Sequence, residues 1–303
     1  MNQRSRGFAM ILVIWSLILL TSLATGFSQA VRHENRSAAD LATIVRAEAA
    51  ATAALHSAVL ALDAQEDSDR PWRADGQPHE IDWPAAGITV RVHSENGRID
   101  INRSPIEPLA GLFAQLFPGQ DAQTLAAALL DWRDRDDEAG AGGSEQTSYS
   151  QAGFAYSPPN RPLHSVDELS QVMGFDNAMV ATARPFLTVH SRQSRINALS
   201  ADLIVLAAVP GIAPDLAQAF VRQREEAITR GETPDFALLR DGRRYLDTRI
   251  GSKVYSLDIE VRLDEGFIRR EHTVVRLDRR QGYALLLRET RPLDETPVRD
   301  DTR

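Results

Sequence analysis

The stretch Asp131-Trp132-Arg133-Asp134-Arg135-Asp136-Asp137-Glu138 sets five carboxylates within eight residues, and a glycine-rich turn then leads back to Glu145. Like charges this close repel, and a hard cation relieves the repulsion. Calcium takes about six to eight oxygens from carboxylates, carbonyls and water, commonly from a flexible loop. Asp134 and Asp136, with Glu145 returning across the turn, could converge on such an ion. The same residues also read as a solvated acidic loop, partly neutralised by Arg133 and Arg135. The twelve-residue spacing of an EF-hand is absent.

Little else in the chain points to chemistry. There is no cysteine, which removes disulfides, thiolate metal sites and cysteine nucleophiles together. The seven histidines show no His-x-x-x-His pairing, and no Gly-x-Ser-x-Gly elbow or phosphate-binding glycine loop occurs. The expectation is a protein that is not an enzyme. Val209-Pro210-Gly211-Ile212, inside Leu199–Glu225, resembles a helix-hairpin-helix, whose glycine lets the backbone approach a nucleic-acid phosphate. Here Ala213 replaces the second glycine, Asp202 and Asp215 flank the hairpin, and Arg222 and Arg224 lie at its far end. A formal charge of -8 also disfavours phosphate, because such affinity rests largely on Lys and Arg displacing counterions. A membrane-tethered nucleic-acid-binding protein is the alternative reading; no nucleic acid is the expectation.

The elements that must position these residues begin with an uncharged run from Phe8 to Val31. As a helix at about 1.5 Å per residue, it would be about 36 Å long, enough for a bilayer core of about 30 Å. Arg4 and Arg6 precede it and an acidic bulk follows, which favours a cytoplasmic N-terminus. Residues 28–62 continue without glycine or proline, with apolar residues at helical spacing, so the pattern predicts one helix from about Ala9 to Leu62. A secretory signal cut after Ala24 would leave half of that helix without purpose. Trp15 then faces lipid or the interface, whereas Trp132 belongs to a core.

Asp63–Pro84 reads as a polar linker or surface loop, and Gly87–Asn102 as a hairpin turning at Asn96-Gly97. Helices are predicted over Ile106–Leu116, Ala122–Arg133, Ser165–Met173, Asp176–Thr182, Ala201–Val209 and Asp215–Glu226. Ser165 with Glu168 suggests a capping box, and Asp134–Pro162 a long loop. Strands return at Val254–Leu263, Phe267–Leu277 and Tyr283–Arg288, and a polar tail follows. Arg98-Ile99-Asp100-Ile101-Asn102 is echoed by Arg195-Ile196-Asn197, which suggests two similar helical units.

Two groups of residues carry a family resemblance. Arg4-Ser5-Arg6-Gly7-Phe8, opening an apolar helix, resembles the leader of type IV pilins and type II secretion pseudopilins. The resemblance implies that prepilin peptidase cuts between Gly7 and Phe8, that Phe8 is then N-methylated, and that the helix is kept. Most members carry glutamate five residues after the cut; this chain has Leu12. Asp131-Trp132-x-Asp134-x-Asp136, Asn160-Arg161-Pro162-Leu163 and Ser165-Val166-Asp167-Glu168-Leu169 resemble the K-type minor pseudopilin of type II secretion. That family implies an α+β fold in which a pilin-like long helix and antiparallel sheet are interrupted by an inserted all-α domain that binds calcium. Carried over, Asp134, Asp136, Asp137 and Glu145 are the calcium ligands, with Gln146 where members often have another acid. The implied organisation is a leader over 1–7, a transmembrane helix over 8–31, pilin-like parts over 32–103 and 246–290, the insertion over 104–245 and a tail over 291–303. The implied role is a single-pass inner-membrane protein with a periplasmic head, capping the pseudopilus tip beside I-type, J-type and major pseudopilins. Leu12 suits that place: the acid pairs with the methylated amine of the subunit above, and a tip subunit has none above it.

Overall fold

A computed structural model describes residues 4–64, 72–136, 138, 140, 142–249, 253–278 and 282–292. The predicted N-terminal helix is a single α1, Arg4–Asp63. Its C-terminal third turns a mostly alanine face inward: Ala47, Ala50, Ala51, Ala54, Leu55, Ala58, Val59 and Leu62 are all buried. Small side chains let the helix axis come close to a sheet, and Leu55 adds about 2 kcal/mol of burial on general transfer scales.

The stretch read as a linker contains a strand instead, β1 (Asp75–Trp83), paired antiparallel with β2 (Ala86–Ser94) across Pro84 and Ala85. The polar composition misled because β1 is an edge strand, with Pro78 at a register shift where a missing N–H costs nothing. Nor is Asn96-Gly97 a hairpin turn. Neither residue has the positive φ that such a turn needs, and Glu95–Gly97 form a 3-10 turn. Gly97 is glycine for closeness: a Cβ there would lie 2.3 Å from the Ser200 carbonyl oxygen. The chain past this turn leaves the sheet as β3 (Ile99–Asp100).

Next come α2 (Ile106–Leu116) and α3 (Ala122–Arg133), both with the predicted bounds, and α4 (Gln146–Gln151), which lies in the expected long loop. The predicted helix over Ser165–Met173 is a 3-10 helix, Val166–Gln171. Its capping box is only half formed: the Ser165 side chain caps nothing, while Glu168 Oε1 accepts the His164 N–H at 2.9 Å. Then follow α5 (Asn177–Ala183), β4 (Leu187–Thr188), β5 (Ile196–Asn197), α6 (Leu203–Ala207), α7 (Pro214–Thr229), a 3-10 helix over Phe236–Gly242 and β6 (Leu246–Asp247). Asp121, Asp176 and Asp202 cap α3, α5 and α6 through backbone N–H groups.

The sequence echo has a structural counterpart. β3 pairs parallel with β4 and β5 with β6, and each two-residue pair closes one helical unit. The side chains end the four strands alike. Asp100 Oδ1 accepts from Asn102 N, Asn197 Oδ1 from Leu199 N, Thr188 Oγ1 from His190 N and Asp247 Oδ1 from Arg249 N, all at 2.9–3.1 Å. Both units share one core, including Ile99, Leu112, Phe113, Trp132, Tyr149, Leu206 and Phe220.

The last strands are β7 (Val254–Leu263), β8 (Ile268–Asp278) and β9 (Gly282–Arg291), in an antiparallel sheet of order β1-β2-β7-β8-β9. Ile88, Val90, Val92, Leu257, Ile259, Val261 and Val275 form a second core against α1. The predicted tail lies outside the described residues beyond Pro292.

Candidate functional site

Two features of the fold bear on function: the surface of α1 and the acidic loop after α3. From Leu12 onward α1 is long and apolar enough to cross a membrane, and none of its most apolar window is buried in the protein. Leu12 and Trp15 are exposed, as an anchor's side chains must be. Gly7 and Phe8 lie within the first turns of its backbone. Beyond this apolar stretch, Leu41, Val45 and Leu60 stay exposed on α1. Between them, Val45, Glu48, Ala49, Thr52, Ala53 and His56 line a shallow groove of about 480 Å³. Their spacing of mainly three and four residues forms one stripe, the shape that a second helix packs into.

The acidic loop is in part folded inward. Asp131 is buried at the end of α3 and turns inward, where each carboxylate oxygen lies 3.3 Å from the Gly140 N–H. The glycine-rich turn folds over it so closely that a Cβ on Gly143 would sit 1.9 Å from Asp131 Oδ2. Arg133 donates to the carbonyls of Ile101 and Ser104, holding the end of β3, while its charge still acts on Asp134. Asp134 Oδ1 is buried and meets no hydrogen-bond donor among the described residues. Burial, and the charges of Asp136 and Asp131, push the Asp134 carboxyl above its usual value. Asp136 accepts the Glu138 N–H at 3.1 Å and its carbonyl takes Asn160 Nδ2 at 2.8 Å. Glu145 is buried at the start of α4. Asp137 lies outside the described residues. Among those described, no three acidic or histidine side chains are drawn together tightly enough to hold an ion. The donor set still suits a hard cation, since the buried Asp134 oxygen is left to be satisfied by a positive partner.

Asn160 tying itself to this loop was missed at the sequence level. Its signal was the Asn160-Arg161-Pro162-Leu163 string, and its φ of 50° shows why asparagine stands there. Beneath lies an aromatic cluster of Trp132, Tyr149, Phe154 and Tyr156, with centroids 5.3–6.2 Å apart. Burial first of all drives the Tyr149 hydroxyl up to about 12, and it accepts the Met173 N–H at 2.8 Å.

The hairpin at Gly211 is no phosphate cradle. Gly211 has φ +86° and abuts Asp241, whose backbone and Cβ lie 3.1 Å from where a side chain would begin. Arg224 donates to the Ala198 and Ala201 carbonyls instead of facing outward. An acid at the hairpin repels the ligand that the alternative reading needs.

Residues 92–192, from the end of β2 past the acidic loop to the last turn before the second helical unit, match the family model for the type II secretion system (T2SS), protein K. Two relatives bear the same description. The type II secretion system protein K of Klebsiella pneumoniae is 26% identical over 230 residues, covering 69% of this chain and 71% of its own. That of Dickeya chrysanthemi is 27% identical over 287 residues, covering 74% and 78%. Over residues 92–192, a third of its length, the chain resembles the type II secretion protein K family. A solved structure of the GspK-GspI-GspJ complex from enterotoxigenic Escherichia coli shares the fold, with a TM-score of 0.62 and 19% identity over 82% of this chain and 96% of that one. The family match includes Asp134, Asp136, Asp137 and Glu145, and stops short of the hairpin at Gly211.

Proposed function

We infer that this chain works as a minor pseudopilin of a type II secretion system, capping the tip of the periplasmic pseudopilus and helping to start its assembly. It acts by assembly and not by catalysis. The observation that carries the reading is the segment matching the K-family model, which extends from the end of β2 into a helical insertion, on a head borne by a helix with an open, striped groove. A stripe of this kind is what parallel helices of neighbouring subunits bury. The insertion is too bulky to pack along a filament shaft, which favours the tip, and apolar Leu12 suits a subunit with no neighbour above it.

The anchor crosses the inner membrane once, N-terminus in the cytoplasm. Prepilin peptidase removes residues 1–7, and Phe8 becomes the methylated N-terminus. The partners are I-type and J-type minor pseudopilins, after the company that the solved neighbour keeps, together with the major pseudopilin. Calcium is held by the acidic loop through Asp134 and Asp136, with Asp137 and Glu145 completing the set. The buried Asp134 oxygen, without a donor among the described residues, supports this. When bound, the ion supplies the positive charge that the loop lacks.

Co-expression of the full chain with I-type and J-type pseudopilins from the same system tests the role. The three should co-purify from detergent extracts, and Val45→Arg with Ala49→Arg should lose the partners at unchanged melting temperature. Co-purification that ignores these changes would refute the role given to the stripe, and no co-purification of the parent would sink the reading. Intact mass of the membrane-extracted chain should match a methylated start at Phe8.

A further inference from the structure

Two turns meet at the end of the sheet where α1 leaves the head. Pro84 and Ala85 join β1 to β2, and the turn from β7 to β8 contains Asp264 and Glu265. The Asp264 N–H donates to the Ala85 carbonyl at 3.4 Å, and Glu265 binds Arg46 of α1 at 2.8 Å. This level lies next to Ala47, where the sheet begins to bury α1. The last row of the sheet on the α1 side follows from register: Trp83 pairs with Ala86, and Ala86 with Leu263. Leu263 is buried and Ala86 half-buried, but Trp83 is 38% exposed, although it shares its face with Ile81, which packs on the α1 core. On α1, Ile44 stands three residues before Ala47 and seven before Ala51, so it prolongs the buried stripe, yet it is 42% exposed. Trp83 and Ile44 thus leave an apolar ledge under the head. The groove on α1 is distinct from it: Thr52 and His56 of the groove meet Arg288 and Tyr283 of β9, at the opposite edge of the sheet from Trp83.

The turn that presents Trp83 is strained. Ala85 has φ 60°, a value that favours glycine, and the Pro84 ring holds its own φ near about −65°, which rules out the type I′ turn that suits a hairpin. Strain of this kind persists where the surroundings fix it, and it gathers where ligands are held. Exposed Asp82 and Asp264 rim the ledge, and exposed Asp40 stands one turn below Ile44. Arg46, the base beside them, is already held by Glu265. A tryptophan and an isoleucine ringed by carboxylates call for an apolar side chain flanked by lysine or arginine.

We propose that this ledge seats the head of the neighbouring subunit on the membrane side, through an apolar side chain of that subunit flanked by basic residues. Such a seat presupposes the pseudopilin reading. The ledge lies at the end of the head from which α1 runs toward the anchor, so its occupant comes from that side. Lipid does not reach it: the uncharged run ends at Val31, thirteen residues below Ile44, which leaves about 20 Å of helix between them. The acidic rim also repels anionic headgroups. β9 ends at this level too, since Arg291 pairs with Arg270 near the start of β8. Residues 293–303 hold four acids against two arginines, however, and the same rim repels them.

The lack of cysteine makes the test direct, because Ile44→Cys gives a single reporter. In the full chain in detergent, its maleimide labelling, read by intact mass, should slow at least tenfold when I-type and J-type pseudopilins of the same system are bound. Trp83→Ser should cut the amount of bound partner at least fivefold at unchanged melting temperature. Asp82→Lys with Asp264→Lys should do the same, whereas Glu225→Lys, exposed on α7, should change nothing. Equal labelling with and without bound partners overturns the ledge and leaves the pseudopilin reading standing; a parent chain that holds no partner removes both. Labelling that is slow in the chain alone and quickens on deletion of residues 293–303 makes the tail the occupant. Slowing in phosphatidylglycerol vesicles without partners makes lipid the occupant, and either result overturns the proposal. If Trp83→Ser lowers the melting temperature, the aspartate reversals are read in its place, and parent-like binding by them counts against the ledge.

Discussion

Arg288 of β9 grips Glu271 of β8, with Nε 2.6 Å from Oε1 and Nη2 3.2 Å from Oε2, and the same Nη2 donates to Thr52 Oγ1 of α1 at 3.0 Å. Glu271 is almost fully buried, with Thr273 Oγ1 donating to it at 3.1 Å and Arg269 standing at 3.3 Å. The pair thus fixes the long helix onto the sheet at the level of the bare groove. Removing one partner of a buried pair leaves the other charge stranded, at a general cost of about 3–5 kcal/mol. Arg288→Leu should lose about 3 kcal/mol in urea unfolding, the low end, because Arg269 remains. A loss under about 1 kcal/mol would mean that Arg269 suffices alone.

Gly111 lies in the middle of α2, where glycine costs about 1 kcal/mol relative to alanine. Its reason is contact: a Cβ would fall 2.0 Å from the Ala208 carbonyl oxygen just beyond α6. Gly111→Ala should therefore destabilise, by about 1–3 kcal/mol as overpacking does, despite its better helix propensity. A raised melting temperature would show that the two helices can part without penalty.

Asp258 is held at about 2: burial pushes it upward, but the His272 hydrogen bond and the charges of His272, Arg291 and His93 prevail. A carboxyl lowered in the folded state adds stability that is complete above its unfolded value of 3.8 and fades as pH falls towards about 2. Asp258→Asn should thus cost about 2 kcal/mol at neutral pH, since each tenfold change in proton affinity is worth about 1.4 kcal/mol. Compared with the parent by urea titration at both ends, the deficit should shrink near pH 2. A gap independent of pH would assign the loss to packing.

Calcium should raise the melting temperature of the full chain in detergent, and a chelator should lower it. Asp134→Asn, which keeps the shape of the side chain, should abolish most of the difference. Equal melting curves in calcium and chelator for the parent would remove the ion from the acidic loop.

What was legible in the sequence follows from which forces act locally. Helices α2 and α3 were found to the residue because apolar period and cap residues are neighbours in the chain. The three C-terminal strands declared themselves by alternation. Asn96-Gly97 deceived because the dipeptide carries a strong hairpin preference, yet here glycine answers the Ser200 backbone, about a hundred residues away. β1 was hidden because an edge strand needs no apolar alternation. In the acidic loop the residue types were readable, but the inward turn of Asp131 and the use of Arg133 on distant carbonyls were not. Both are decided by contacts that close only after the core of Ile99, Trp132 and Tyr149 has formed.

The register Ser94↔Tyr255 places the start and the finish of the insertion on directly opposed residues of neighbouring strands. If residues 95–253 were replaced by a short turn, β1, β2, β7, β8 and β9 would run as a plain up-and-down meander, with order in space equal to order in the chain. Residues 95–253, half of the molecule, are thus hung from a single hairpin bend. The five-stranded sheet needs no rewiring to carry them, and a short turn at that bend should leave a minimal head of α1 and the sheet.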